Sequence, residues 1–158
     1  MKITEKRFEE LTTDELYEIL RCRAEVFVMG QNCIYQDMDG IDKHSTHLYI
    51  EENGRIKSYL RIIDPGIKFP PASIGRVLTL KEYRGNGLAR RLMSEAIRIA
   101  HRKAPVIEIE AQAYLLEFYR SLGFRQTSDV FMLENIPHVT MVSELNEKHQ
   151  YPHPPTDS

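Results

Sequence analysis

A strand, a two-glycine turn and a helix follow one another between Ile74 and Met93, and this unit constrains the fold more than any other stretch. Val77 to Leu80 are mostly apolar and favour a strand, and the turn reads Arg84-Gly85-Asn86-Gly87. From Leu88 onwards apolar residues recur at helical spacing. Glycine lets the backbone approach a ligand closely, and the N–H groups at a helix start favour negative charge. Because Arg84 adds a guanidinium beside them, the pattern predicts a phosphate-binding turn.

The glycine spacing by itself leaves other kinds of turn open. A P-loop needs Lys and Ser or Thr after its last glycine, where this chain has Leu88 and Ala89. A dinucleotide-binding fingerprint needs Gly or Ala where Arg90 stands, although Glu108 and Glu110 lie near the distance at which a ribose-binding acid is sought. An ordinary strand-to-helix turn, with glycines for geometry only, also fits the spacing.

A second motif follows the turn. Val106 to Ala111 predict a short strand, and Phe118 to Phe124 read Phe-Tyr-Arg-Ser-Leu-Gly-Phe. Together with the run from Arg84 to Ala89, this order resembles the GNAT family of acyl-CoA-dependent N-acetyltransferases, whose signatures are Arg/Gln-x-x-Gly-x-Gly/Ala and Tyr-x-x-x-Gly-Phe. The resemblance covers about the C-terminal half of the chain and favours the phosphate-binding interpretation of the turn.

The N-terminal half carries a narrower resemblance. Leu20 to Gly40 contain Leu-Arg-x-Arg-x-x-Val-Phe-Val-x-x-Gln-x-Cys-x-Tyr-Gln-Asp-x-Asp-Gly, which looks like the ElaA-type branch of the same superfamily. Ala111-Gln112-Ala113 and Ile136-Pro137-His138 are similar to that branch as well. One position departs from it: the branch generally has Glu before the Gln, and this chain has Gly30. Any role of that acid therefore does not transfer to this chain.

Composition bounds the class of protein. The 158 residues suit one domain, and 42% hydrophobic with 28% charged residues are globular values. The net charge is −2, so the chain lacks the overall positive charge that is typical of nucleic-acid-binding proteins. No apolar run approaches the roughly 20 residues that span a bilayer, and the N-terminus lacks a signal-peptide core. We therefore expect a cytoplasmic protein without nucleic-acid or membrane partners, in which Cys22 and Cys33 are free thiols.

Local patterns predict the remaining elements. Lys2 to Phe8 are expected to form the first strand, and Thr12 with Glu15 makes a capping-box pattern that starts a helix. Asn53-Gly54 predicts a hairpin between strands at 47–51 and 55–63. Residues 125–133 and 138–145 are expected to form a closing antiparallel pair.

The resemblance implies an α/β fold with a single GNAT domain at residues 1–146. This fold is a mixed, mostly antiparallel sheet with helices on both faces. The strands at 74–80 and 106–111 run parallel in it and splay apart. Residues 147–158 are polar and proline-rich, and we expect them to be a disordered tail.

The resemblance also implies acetyl-CoA as the co-substrate. Unpaired backbone groups of Val77 and Thr79 would hydrogen-bond the pantetheine arm, and the pyrophosphate would rest on the N–H groups from Gly85 to Ala89. Gln112 stands where many family members have Asn, and it keeps the same donor and acceptor. The expected cofactor-binding residues are Val77, Leu78, Thr79, Arg84, Gly85, Asn86, Gly87, Leu88, Ala89 and Gln112.

The expected reaction is direct attack of an amine on the thioester in a ternary complex. It needs a neutral amine, donors for the oxyanion and an acid for the leaving thiolate, and the family pattern assigns the acid to Tyr119. No motif fixes the base, for which the candidates are Glu108, Glu110, His47 and His138. The alternative function is a non-catalytic acyl-CoA-binding or sensing domain. The expected acceptor is a small-molecule or peptide amine that the sequence does not identify. The sequence also leaves open whether the protein forms a homodimer.

The segment from Met29 to Thr46 is long, polar and acidic. Asp37, Asp39 and Asp42 would either border the acceptor entrance and attract a cationic amine, or cap local turns. Their spacing lacks the twelve-residue pattern and closing Glu of an EF-hand, so no metal site is expected.

Overall fold

The computed structural model describes residues 2–32 and 34–145. Cys33 and the tail predicted at 147–158 lie outside the described residues.

Two sheets make up the β layer. The first has the antiparallel order β1 (Ile3–Arg7), β2 (Ser45–Glu52), β3 (Arg55–Ile63) and β4 (Ser73–Thr79). The predicted hairpin joins β2 to β3, with φ of +54° at Asn53 and +77° at Gly54. Positive φ at both central residues matches the right-handed twist of the strands, which is why Asn-Gly is favoured there.

The second sheet is built around the last strand. β5 (Val106–Gln112) and the short strands β6 (Arg125–Gln126) and β7 (Phe131–Leu133) all pair antiparallel with β8 (Ile136–Glu144). The single strand expected at 125–133 is therefore wrong. Ser128 interrupts it, because its Oγ accepts from the Thr140 N–H at 2.9 Å and replaces a backbone acceptor.

The two sheets meet at one parallel contact. Ala72 bridges Ile107, and the Glu108 N–H donates to the Ala72 carbonyl at 2.9 Å. Beyond this contact β4 and β5 separate, and within the described residues no further ladder joins them. The predicted splayed parallel pair is confirmed.

Helices cover both faces of the first sheet, as predicted. α1 (Thr13–Arg23) begins at the expected capping box, in which Thr12 Oγ1 accepts from the Glu15 N–H at 3.1 Å and Glu15 Oε1 accepts from the Thr12 N–H at 2.8 Å. A π-helical turn, Ala24–Met29, continues it. α2 (Leu88–Lys103) packs on the opposite face, and α3 (Leu116–Ser121) lies beside β5.

Strand alternation explains the two cores. On β2, Leu48 and Ile50 pack in the cluster that includes Leu92 and Ala96 of α2, whereas Tyr49 faces Ile19 of α1. Each of these side chains is fully buried. The chain therefore forms one sheet-centred domain whose functional gap lies between β4 and β5.

Candidate active site

A cleft of about 1390 Å³ opens where β4 and β5 diverge. It is bounded by the glycine turn, α3, the start of β8 and the segment after α1. All the predicted site residues except Asn86 line it, namely Val77, Leu78, Thr79, Arg84, Gly85, Gly87, Leu88, Ala89, Gln112 and Tyr119.

The glycine turn needs its glycines for backbone shape and for open space. Gly85 has φ +87° and Gly87 has φ +75°, a region that other residues rarely adopt. A Cβ at either position would meet nothing within 4 Å, so packing inside the protein does not require glycine there. α2 starts at Leu88, directly after Gly87, and its first turn contains no acidic residue. The N–H groups of that turn have no partner within the helix and face a position suited to an anion.

Two polar side chains stabilise this turn through hydrogen bonds to backbone carbonyls. Arg84 Nε donates to the Thr79 carbonyl at 2.9 Å, which holds the guanidinium at the end of β4. Asn86 Nδ2 donates to the Tyr83 carbonyl at 3.3 Å. The side chain of Asn86 therefore closes the turn rather than lining the cleft.

β4 presents backbone groups to the gap. The Leu80 N–H donates to the Lys57 carbonyl on the β3 side at 3.0 Å, so strand alternation directs the backbone groups of Thr79 away from β3, where its carbonyl accepts from Arg84. A bulge interrupts the ladder, because Arg76 and Val77 together oppose Leu60. Arg76 has φ +52°, unusual for a residue with a Cβ.

Tyr119 lies at the inner wall of the cleft. Its side chain is 6% exposed, and its ring makes edge contacts with Phe118 at 5.2 Å and Phe124 at 6.1 Å between centroids. Burial raises the pKa of the Tyr119 phenol to about 12. The phenol is therefore protonated at neutral pH and available as a hydrogen-bond donor.

Two of the four candidate bases line the cleft. Glu110 pairs with Lys68 at 2.7 Å between Oε1 and Nζ. His138 Nδ1 lies 2.7 Å from the Ile136 carbonyl, which can only accept, so Nδ1 carries a proton and a neutral ring keeps Nε2 as an acceptor. Glu108 is half-buried and lies outside the cleft lining.

His47 is in the core, which contradicts its candidacy as a base. Its Nε2 lies 2.9 Å from the Asp42 carbonyl and its Nδ1 lies 2.6 Å from the Tyr59 hydroxyl. Burial lowers the pKa of His47 below its usual value. The imidazole is a neutral structural group that donates to Asp42 and accepts from Tyr59.

The expectation that the acidic loop attracts a cationic acceptor is contradicted for Asp37 and Asp42, which are buried and paired with arginines, whereas Asp39 is also paired but does line the cleft. Asp37 binds Arg23 at 2.9 Å and Arg76 at 2.8 Å, and Asp39 binds Arg61 at 2.7 Å. Asp42 accepts from both Arg23 at 2.6 Å and Arg61 at 2.9 Å. The six side chains, Arg23, Asp37, Asp39, Asp42, Arg61 and Arg76, form what we call the Arg–Asp cluster. The turn-capping alternative holds for Asp39, whose Oδ1 also accepts from the Ile41 N–H at 3.0 Å.

Electrostatics in the cluster favour the charged carboxylates. Burial by itself raises the pKa of Asp39, but hydrogen bonds and the charge of Arg61 outweigh it and hold that pKa well below its usual range. The same balance, with Arg23 as the main partner, lowers the pKa of Asp42. Since Arg23 and Arg61 are almost fully buried, each needs these partners.

Sequence reasoning missed several cleft residues, including Arg61, Arg76, Lys68 and Tyr114. The arginines stand alone in their strand patterns, and only their neighbours across the sheet explain them. Gly30, the position that departs from the ElaA-type pattern, also lines the cleft. A Cβ there would lie 2.7 Å from the Val26 carbonyl oxygen, so this turn has no room for a side chain without a backbone shift.

Two further features are absent from the part of the chain that the structure describes. No helix there is long and apolar enough to cross a bilayer. No group of three or more His, Cys, Asp or Glu side chains there is arranged to hold a metal ion.

Comparisons with known proteins agree with this geometry. The family model described as an acetyltransferase (GNAT) domain matches residues 9–145. The UPF0039 protein sll0451 of Synechocystis is 37% identical over 140 residues, which are 87% of this chain and 91% of that protein. Protein ElaA of Escherichia coli is 35% identical over 140 residues, covering 86% of this chain and 92% of its own.

Solved structures give the same result. An acyl-CoA N-acyltransferase from Pseudomonas aeruginosa superposes with a TM-score of 0.84 at 34% identity, covering 90% of this chain and 99% of that one. Escherichia coli ElaA superposes with a TM-score of 0.84 at 33% identity and the same coverage. The splayed strands and the glycine turn define an acyl-CoA N-acyltransferase. The chain belongs to the GNAT acetyltransferase family, and within it to the ElaA-type branch.

Proposed function

We propose that the protein transfers the acetyl group of acetyl-CoA to an amine by direct attack in a ternary complex. The observation that carries the proposal is one cleft that joins a helix-start anion site, the edge strand β4 and a buried protonated tyrosine. In this proposal residues 1–146 form the catalytic domain. A reducing, cytoplasmic location is part of it too, supported by the free thiol of Cys22 in the core.

In this proposal acetyl-CoA lies along the cleft from the glycine turn towards the β4 bulge. The pyrophosphate accepts hydrogen bonds from the N–H groups of Gly85 to Ala89, with Arg84 beside them. The pantetheine arm lies in the gap along β4, where Val77 and Thr79 present backbone groups and Gln112 faces from β5. The arm leads from the turn back along β4, so the thioester lies near Arg76, Val77 and Tyr119.

The chemistry then follows from these positions. The amine nitrogen bonds to the thioester carbon, the carbonyl becomes an oxyanion, and collapse of this intermediate breaks the C–S bond. The Tyr119 O–H donates a hydrogen bond to the departing sulfur. A pKa of about 12 lies some 3.5 units above the ordinary thiol value of about 8.5, so complete proton transfer costs about 5 kcal/mol. A hydrogen bond that strengthens as the thiolate forms is therefore the better description of its role.

The amine must lose a proton before or during attack. An alkylamine with a pKa of about 10.4 is neutral in only about one molecule in 2,500 at pH 7. Glu110 and His138 are the candidate bases that line the cleft, and either can take this proton directly or through water. Substituting each separately distinguishes them, because loss of the base shifts the acidic limb of the kcat/KM profile.

A substrate-panel assay tests the proposal. Release of CoA thiol from acetyl-CoA is followed with small amines, polyamines and peptides that carry a free N-terminus or a lysine, in parallel with calorimetric titration of acetyl-CoA. We expect amine-dependent release for at least one acceptor class. Micromolar binding without turnover across the panel would instead indicate a non-catalytic acyl-CoA-binding domain, and absence of binding would reject both functions.

A further inference from the structure

The β4 bulge contains a residue in an unfavourable conformation at the reacting end of the cleft. Arg76 and Val77 share one partner on β3, and Arg76 has φ +52°. For an L residue with a Cβ, the population of this left-handed region is about 10-fold lower than that of ordinary conformations, whereas glycine adopts it freely. Something other than the backbone of Arg76 must therefore stabilise the bulge.

The Arg–Asp cluster supplies that stabilisation through Asp37. Arg76 Nε donates to Asp37 Oδ1 at 2.8 Å, and its Nη2 donates to the Asp37 carbonyl at 3.0 Å. Tyr35 stacks under the guanidinium, with 5.6 Å between Cζ and the ring centroid. The carboxylate and the carbonyl of Asp37 thus both bind the Arg76 side chain.

Asp37 is itself fixed from the opposite side. Its Oδ2 accepts from Arg23 Nε at 2.9 Å, and its carbonyl accepts from Arg23 Nη2 at 3.2 Å. Arg23 is fully buried at the end of α1. A rigid helix end therefore holds Asp37, and Asp37 holds the bulge.

We propose that Asp37 and Arg76 are positioning residues: their ion pair keeps the β4 bulge in its left-handed conformation beside the position proposed for the thioester. This inference rests on the proposed function, because the thioester lies beside Arg76 only if acetyl-CoA lies along β4. The ion pair is then a link between the loop after α1 and the reacting carbonyl. It does not serve to attract the acceptor.

The test compares alanine with glycine at position 76. Arg76→Ala and Arg76→Gly remove the same ion pair, but only glycine keeps the left-handed conformation without cost. We expect Arg76→Ala to bind acetyl-CoA about 10-fold more weakly in calorimetry, and Arg76→Gly to stay within about 3-fold of the unmodified protein. The Val77 amide resonance in nitrogen-proton NMR spectra should move in the alanine variant and stay near its original position in the glycine variant.

A matched control is the Arg7–Asp64 pair. Arg7 also donates two hydrogen bonds to one carboxylate, at 2.9 and 2.8 Å, but has φ −73° and lies on β1, outside the cleft lining. Arg7→Ala and Arg7→Gly should leave acetyl-CoA affinity unchanged. At this position glycine has no conformational advantage, so the order of stability should favour alanine.

Equal losses in the two Arg76 variants, or a larger loss with glycine, would overturn the inference, as would no loss in either. If Arg76→Ala does not fold, Arg76→Gly alone decides, and a loss well beyond about 3-fold or a failure to fold contradicts the proposal. Should the unmodified protein fail to bind acetyl-CoA, the proposed function falls. The Val77 resonances of the unliganded variants then still test whether the ion pair holds the bulge.

Discussion

At the scale of single residues, burial and hydrogen-bond partners decide which of the candidate catalytic side chains can take part in the reaction. Tyr119 and His47 are both buried, yet Tyr119 lines the cleft whereas both ring nitrogens of His47 have partners in the core. Burial raises the pKa of Tyr119 and lowers that of His47, so each is kept neutral. The neutral phenol suits donation to a thiolate, and the neutral imidazole suits a structural hydrogen-bond pair.

Replacing Tyr119 by Phe tests the leaving-group role. The change removes one hydroxyl and little volume, so the fold should persist while kcat falls by about 100-fold. Steady-state kinetics with the acceptor identified in the panel would measure it, and Tyr114→Phe, which removes an exposed phenol from the same cleft, is the control. A change confined to KM would mean that the hydroxyl only assists binding.

Replacing His47 by Gln tests the neutral imidazole. Because the folded pKa lies below the unfolded value of about 6.5, the unfolded state binds a proton first as pH falls. Stability is therefore full above about pH 6.5 and declines as pH drops from there towards the folded pKa, by at most about 1.4 kcal/mol per pH unit.

Urea unfolding between pH 7.5 and 5 should show this decline in the unmodified protein and a flatter profile in His47→Gln. The same substitution at the exposed His44 controls for removal of an imidazole. An identical slope in the His47 variant would contradict the assignment.

At the scale of elements, the glycine turn and the start of α2 act as one unit. Both glycines have positive φ, and the space around them is open. The turn therefore needs glycine for its backbone angles and not for packing, and its open side is what an anion would occupy. Folding of the turn requires the positive φ angles, whereas binding of an anion requires the open space beside them.

Replacing Gly87 by Asp tests this element. A carboxylate at Gly87 would stand near the pyrophosphate, so acetyl-CoA binding should be lost in calorimetry although the variant folds. Gly87→Asn has nearly the same size and tolerates positive φ without the charge, and it should retain more affinity. Binding by Gly87→Asp at near-normal strength would remove the pyrophosphate from this turn.

At the scale of the whole molecule, the Arg–Asp cluster ties distant parts of the chain together. It joins the end of α1, the loop at 37–42, β3 and β4 through pairs separated by 14 to 39 residues. Its three arginines and three aspartates balance in charge, so the interior carries no net charge there. Removing one partner leaves a buried charge uncompensated.

Replacing Asp39 by Asn tests the cluster. At pH 7 the variant should lose about 2 kcal/mol of unfolding free energy, because the buried Arg61 loses its bidentate partner and keeps only Asp42 as a charged one. The depressed pKa of Asp39 means that its contribution is full above the unfolded value of about 3.9 and is lost as pH falls below it. Acid unfolding of the variant should be correspondingly less steep between pH 5 and 2, and equal steepness would contradict the assignment.

Local patterns determined a large part of this protein. The capping box at Thr12, the hairpin at Asn53-Gly54 and the glycine turn before α2 were all predicted, since each depends on hydrogen bonds or backbone angles within a few residues. Family signatures added the splayed strand pair. Ten of the eleven site residues predicted from the sequence line the cleft.

Other features were decided by the tertiary structure alone. A charged residue does not specify its partner, so Asp37 is compatible in sequence with an open acidic rim and with a buried pair, and only folding brings Arg23 and Arg76 to it. The bulge at Arg76 likewise follows from the register of β3 against β4, which no local pattern encodes. His47 was misassigned for the same reason: its two partners lie on a neighbouring strand and a neighbouring loop, and only their approach makes it structural.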